Sequence, residues 1–448
     1  MAFGPPKMPA TPFDSAIYRD LFLDADVASL FTDSAEVRAM LLVEGALAKA
    51  QAAHGIIPEI SAAAIQRAAQ EVLIDPASLA AETGQSAVVV PALVSAFRTA
   101  MQAPEHAQYI HWGATSQDIM ETGLILRLRQ VLAIFDTRLT ALAKSLGTLA
   151  RSHADLPIAA RTYGQTATVT SFGAVVASWG QPMLRHRSRL APVRDDLLTV
   201  SLSGAAGTLS AMGPKGPQVR ADLATALKLS DPGGSWHSER DRLGALAGWI
   251  TGTAVSLGKM GEDLLLLTQS GISEVSLAKG GGSSTMPQKS NPVLPSLLVA
   301  LARHITGLNT TLQGAGMHRQ QRDGAAWFTE WLTLPQLCIS LARALSATED
   351  LAKSLTPNPG AMLAGIDDGL GLIYAEALSF ALSSQMPRPE AQAAVKSLCL
   401  KARETKTSLA QLSAEKWPAL DTSLFTPTAQ LGTAPAEARA FADCTRSL

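Results

Sequence analysis

The chain has 448 residues, enough at roughly 150 residues per domain for about three domains and a sizeable buried core. Its 37 Lys+Arg against 38 Asp+Glu leave a formal net charge of −1, which argues against a general nucleic-acid binder, and 47% hydrophobic residues exclude disorder over the whole length. Aromatics make up only 5% while Ala and Leu recur, so the composition leans to helix rather than to sandwich or barrel.

The first fourteen residues carry prolines and Asp14 where a secretory leader needs an apolar run, so no secretory signal is expected. Between positions 33 and 55, Val37, Leu41, Leu42, Ala46 and Leu47 recur near a 3.6-residue period and the run stops at Gly55, which predicts an amphipathic helix with a glycine cap. Helical text continues to about Ala100, with breaks at Asp75-Pro76, Thr83-Gly84 and Pro91. Long, charge-poor helical segments are then predicted at 118–154, 170–190, 240–274, 292–312 and 327–352. Helices this long and apolar are soluble only when packed together, which predicts a helical bundle that is also an oligomer core.

The uncharged stretch 162–184 is long enough to span a bilayer, but it is full of Thr, Ser, Gln and Gly and contains Pro182. It reads as a helix buried inside a large protein, so no membrane partner is expected. Gly/Ser/Pro-rich connections at 204–216, 231–235 and 279–292 are candidate functional loops. A break at Thr356-Pro357-Asn358-Pro359-Gly360 opens a smaller helical unit, giving expected domains of 1–112, 113–355 and 356–448. Cys338, Cys399 and Cys444 lie far apart with no CxxC pair, which fits a reducing cytoplasm. There is no HExxH, no close His/Asp cluster and no dinucleotide fingerprint, so neither a metal nor an organic cofactor is expected.

The loop Gly280-Gly281-Gly282-Ser283-Ser284-Thr285-Met286-Pro287-Gln288-Lys289-Ser290-Asn291-Pro292 carries the most chemistry. A phosphate loop needs a glycine directly before the lysine, where Gln288 stands. A passive polar linker is the bland alternative for a Gly/Ser loop. Against it, Met286-Pro287 is stiff and apolar, and Lys289 with Asn291 places a charge and an amide beside two hydroxyls, a set able to hold an anion while a hydroxyl exchanges a proton.

This loop resembles the signature loop of the fumarase/aspartase superfamily, and two further stretches agree. His111-Trp112-Gly113-Ala114-Thr115-Ser116-Gln117-Asp118 is similar to the first signature region of the adenylosuccinate lyase branch, and Arg161-Thr162-x-x-Gln165 with Phe172-Gly173 to the second. The resemblance runs nearly end to end. It implies an all-α, three-domain fold, a homotetramer built on a twenty-helix core, and active sites assembled from three subunits. It implies Ser283 as the residue that moves a proton on the carbon beside a carboxylate, with Lys289 and Asn291 stabilising the aci-carboxylate that forms. A nearby Lys⁺ and loop amides in a closed site would lower the serine pKa. Thr115, Ser116, Thr162, Gln165 and Ser284 would hold substrate carboxylates through neutral hydrogen bonds, with His111 as a further contact. Any one of these alone reads more simply as a satisfied polar core group.

Superfamily members that expel an amine or water use the histidine of a Thr-His-x-Gln segment paired with a glutamate shortly after the Asn-Pro. Tyr163 and Ser296 stand in those places here. An amine or hydroxide must be protonated as it leaves, whereas a carboxylate, with a pKa of about 4, departs as the anion. The missing pair therefore favours resemblance to the 3-carboxy-cis,cis-muconate cycloisomerases, in which a substrate carboxylate is the group that leaves a lactone.

Thr83-Gly84-Gln85 with Pro91, Trp236-His237-Ser238-Glu239-Arg240-Asp241, and Arg322 with Trp327 and Glu330-Trp331-x-x-Leu334-Pro335 resemble the same family. Arg319, Gln320 and Gln321 depart from its usual Glu-His-Glu. Arg322 is a candidate substrate contact. Arg240 is a candidate carboxylate fork or, equally, a structural salt-bridge partner. The implied activity interconverts 3-carboxy-cis,cis-muconate and a carboxymuconolactone in protocatechuate breakdown, on a small tricarboxylate and without a cofactor. The alternatives are a lyase acting on a substituted succinate and a non-catalytic structural tetramer.

Overall fold

Thr32 starts the first long helix by accepting the Ala35 N–H on its hydroxyl at 3.3 Å. That helix, α1 (Asp33–Ala53), ends where Gly55 turns to a φ of 66°. The computed structural model describes residues 11–278, 281, 282, 286 and 289–448. Within them the expected all-α fold is present, and the strands are confined to three two-stranded ribbons.

The residues group into two compact units. The first comprises Met1–Thr137, His186–Ala254 and Leu301–Ala344. Here α1 buries Val37, Met40, Leu41, Glu44, Leu47, Ala48 and Gln51 at helical spacing, while Leu42 lies exposed. It packs on α2 (Glu59–Glu71) so closely that a Cβ on Gly45 would sit 2.9 Å from Ala69 Cβ. The cluster extends through Leu93 and Phe97 of α3 (Val90–Met101) to Ile119 of α4 (Ser116–Ser152), and to Leu202, Met212, Leu223 and Trp327. About 25 cal/mol per Å² of apolar surface withdrawn from water makes such a core the main stabilising term.

The second unit comprises Arg138–Arg185, Val255–Ala300 and Leu345–Leu448. Strands β1 (Pro157–Thr162) and β2 (Gln165–Ser171) form an antiparallel hairpin, and α5 (Phe172–Leu197) follows directly. The reading of 162–184 as one helix is thus corrected. Its first ten residues, TYGQTATVTS, are rich in β-branched Thr and Val and turn at Tyr163-Gly164, with helix beginning only at Phe172. No helix among the described residues is long and apolar enough to cross a membrane.

The other long helices follow the expected order: α6 (Asp241–Leu267), α7 (Val293–Ala315) and α8 (Gly324–Ser354). Strand β3 (Val275–Leu277) pairs with β6 (Leu355–Pro357), while β4 (Gly281–Gly282) pairs with β5 (Ser290–Asn291). Asn358 then caps α9 (Pro359–Ile366). Further on, Leu378, Leu382, Val395, Leu398, Leu409 and Leu412 form a separate apolar cluster.

Candidate active site

In the first unit the segment 111–118 joins the end of the α1–α3 layer to the N-terminus of α4. Its bends need left-handed backbone, and His111 and Gly113 supply it with φ of 64° and 68°. A Cβ on Gly113 would also meet the Met212 and Ala211 side chains at 3.2 and 3.3 Å. Three anchors hold the loop. Gln51 donates its amide to the Trp112 carbonyl at 2.6 Å. Glu44 accepts the His111 N–H at 3.1 Å and meets His111 Nδ1 at 2.7 Å.

The third anchor is Asp118, which is fully buried. Its Oδ2 accepts the N–H groups of Thr115 and Gly204, both at 3.0 Å, and its Oδ1 accepts the Ser203 N–H at 2.8 Å. His237 Nε2 lies 2.8 Å from the same Oδ1. One carboxylate thereby ties the glycine-rich 204–216 loop and the 236–241 motif to the start of α4. The hydroxyls of Thr115 and Ser116 have no hydrogen-bond partner among the described residues, so both are available to a ligand.

Burial alone would lower the pKa of the His111 imidazole. The charge and hydrogen bond of Glu44, with Asp118 beyond, outweigh it and hold the imidazole above its usual value, while Arg98 opposes them. His111 and Ser116 line one cleft of about 490 Å³ together with Val94, Ser95, Arg98 and Thr99 of α3. A second cavity of about 550 Å³, between Met40, Met120, Trp327 and Trp331, contains none of the expected site residues.

Arg322 is exposed and donates from Nε to Gln117 Oε1 at 2.7 Å, so it belongs to the same assembly. Gln117 in turn donates to Glu121 Oε1 at 2.7 Å and to the His237 carbonyl at 2.9 Å. Arg240 behaves differently. Its Nε and Nη2 fork onto Glu330 at 2.7 and 2.6 Å, its Nη1 meets Glu121 at 2.7 Å, and its side chain is 2% exposed. Burial works against its charge, but the two carboxylates hold it above the usual arginine range. Both faces of the Arg240 fork hold carboxylates of the protein itself, the arrangement of a structural salt-bridge partner. Glu121 itself is pushed up by burial despite Arg240.

The second unit holds the other expected residues. Thr162 and Gln165 face each other across the tip of the β1–β2 hairpin, and both are exposed. Tyr163 and Gly164 have φ of 52° and 73°, the two left-handed residues of a type I′ turn, and the Tyr163 ring stands wholly in solvent. Arg161, one residue before the tip pair, anchors the hairpin through a two-pronged pair with buried Glu274, at 2.7 and 2.8 Å. Lys289 is exposed, and Asn291 lies in β5 opposite Gly281. Ser283 and Ser284 fall outside the described residues. Ser296 spends its hydroxyl on the Pro292 carbonyl at 3.0 Å.

Among the described residues no three His, Cys, Asp or Glu side chains come together as a metal site. Sequence reasoning missed Glu44 and Arg98. The signal for Glu44 was a lone acid inside the apolar run MLLVEGALA, and for Arg98 a lone cation closing PALVSAF.

The family described as Lyase matches residues 24–307. A 3-carboxy-cis,cis-muconate cycloisomerase of Pseudomonas aeruginosa is 39% identical over 88% of this chain and 87% of that protein. One from Pseudomonas putida is 38% identical over 83% of this chain and 90% of that protein. The crystal structure of a 3-carboxy-cis,cis-muconate lactonizing enzyme from Pseudomonas putida is similar with a TM-score of 0.91 at 32% identity, covering 97% of this chain and 99% of that one.

Proposed function

The chain belongs to the lyase family of the fumarase/aspartase superfamily, and from that membership we propose that it is a cycloisomerase, an intramolecular lyase interconverting 3-carboxy-cis,cis-muconate and a carboxymuconolactone in protocatechuate breakdown. The observation that carries this reading is the pair of positions that would protonate a leaving amine or hydroxide. They hold Tyr163, extended into solvent, and Ser296, whose hydroxyl is taken by a backbone carbonyl. A leaving carboxylate needs no such proton at neutral pH.

In the lactone-forming direction one substrate carboxylate adds its oxygen to the conjugated double bond. The electron pair moves onto the carbon beside a second carboxylate, which becomes an aci-carboxylate. Lys289 and Asn291 hold that developing charge, and Ser283 delivers the proton to carbon. Thr115, Ser116 and His111, and from other copies Thr162, Gln165 and Ser284, hold the remaining carboxylate oxygens, and Arg322, bonded to Gln117 next to Ser116 in the chain, is a further contact. The working form is a cytoplasmic homotetramer in which different copies supply these groups. The exposure of Thr162, Tyr163 and Gln165 at a hairpin tip supports that arrangement.

The test is direct. Purified protein mixed with 3-carboxy-cis,cis-muconate should remove the conjugated-diene absorbance, while adenylosuccinate and simple succinate adducts stay intact. Cleavage of a succinate adduct with an untouched diene would favour a lyase, and no turnover of any of them together with no thermal shift on adding the muconate would favour a structural tetramer.

A further inference from the structure

We propose that Arg98 is the cation that receives one carboxylate of the substrate, in the cleft it shares with His111 and Ser116. This rests on the reading that the site takes a small tricarboxylate. The guanidinium is fixed before any ligand arrives. Its Nε donates to the Ala107 carbonyl at 3.3 Å and its Nη2 to the Ile110 carbonyl at 3.0 Å, the latter directly preceding His111. Nη1 has no partner among the described residues, and Arg98 is exposed on the cleft wall. A side chain held by two backbone carbonyls loses little freedom when it takes up a third partner.

The rest of the cleft has the matching chemistry. Ser95 stands beside Arg98 on α3, and Ser116 lines the same cleft with its hydroxyl unpartnered among the described residues, while the Thr99 hydroxyl donates to the Ser95 carbonyl at 3.0 Å. Among the described residues no acidic side chain lines the cleft. Arg98 and His111 are close enough for the arginine to disfavour the imidazolium. His111 already has the Glu44 carboxylate as its partner, whereas Arg98 is bonded only to two neutral carbonyls, so Arg98 is the cation that a carboxylate entering the cleft meets without a counter-ion of its own. Val90, Pro91 and Val94 close the remaining wall with apolar surface suited to a carbon skeleton.

The experiment compares the full-length protein with Arg98→Gln, Arg98→Lys and Ser95→Asp. Ser95→Asp leaves the bonds from Arg98 to Ala107 and Ile110 in place and puts a negative charge into the cleft. Two readouts are taken: KM and kcat for 3-carboxy-cis,cis-muconate, and calorimetric binding of tricarballylate, an unreactive tricarboxylate. Arg98→Gln and Ser95→Asp should each raise KM and weaken tricarballylate by about tenfold or more, with a much smaller change in kcat, and Arg98→Lys should recover part of the loss. Unchanged KM and unchanged tricarballylate affinity in Ser95→Asp and a folded Arg98→Gln would overturn the assignment. If the parent protein binds tricarballylate through Arg98 but never consumes the muconate, the cycloisomerase reading fails and the role of Arg98 as a carboxylate receptor stands.

Discussion

Glu44 and His111 form a pair in which one carboxylate fixes both the backbone and the ring of its partner. Oε2 accepts the His111 N–H at 3.1 Å, and Oε1 meets Nδ1 at 2.7 Å from a side chain that is 1% exposed. The left-handed backbone of His111 persists because this pair holds it.

Because the folded imidazole titrates above its ordinary value of 6.5, the pair stabilises the fold fully below about pH 6.5 and loses that contribution as pH rises through the folded pKa. Glu44→Gln should move the His111 ring-proton titration, followed by NMR, to lower pH. The urea midpoint of the variant should fall furthest behind the parent on the acid side and approach it at alkaline pH. An unmoved titration would sink this account of the pair.

Arg240→Met should cost about 3–5 kcal/mol, since it leaves Glu121 and Glu330 buried against each other without their cation. Urea unfolding reads this as a much lower midpoint. A variant of normal stability with a raised KM would return Arg240 to the substrate.

Gly173→Ala should lower stability by about 1–3 kcal/mol. The added Cβ would lie 2.4 Å from the Ala150 carbonyl oxygen and 2.7 Å from Ala154 Cα, both backbone atoms that have little room to retreat. Thermal unfolding by circular dichroism gives the comparison, and an unchanged Tm would contradict the contact.

Ser283→Ala should reduce turnover by about 100-fold or more while leaving the oligomer intact, the usual scale for losing a positioned proton donor. Diene consumption together with size-exclusion chromatography separates the two effects. A fully active variant would move the proton to another group.

The long helices were legible because burial imposes a 3.6-residue period over many turns and their ends carry strong punctuation, such as Gly55 after α1 and Asn358 before α9. The β1–β2 hairpin was not legible, because an uncharged run of small and β-branched residues fits a buried helix as well as a ribbon. Only the left-handed turn at Tyr163-Gly164 separates the two. Motif matching drew attention to His111, Thr115 and Ser116, which the structure gathers at the start of α4, but it could not rank the arginines. Arg98, Arg240 and Arg322 are alike in sequence, and only partner geometry distinguishes one with a free nitrogen from one enclosed by two carboxylates. Phe172-Gly173 likewise reads as a signature, yet the glycine is explained by close packing on Ala150 and Ala154 without any chemistry.

The side chain of Gln117 has a handedness of its own. An isolated amide in water can swap its oxygen and nitrogen ends at no cost, but here the nitrogen faces Glu121 and the His237 carbonyl while the oxygen faces the Arg322 guanidinium. Reversal would set oxygen against two acceptors and nitrogen against a donor, so a single rotamer survives. Arg322 is consequently keyed to a buried carboxylate whose own partner is Arg240, so the place of one surface guanidinium is set through a single amide by the interior of the protein.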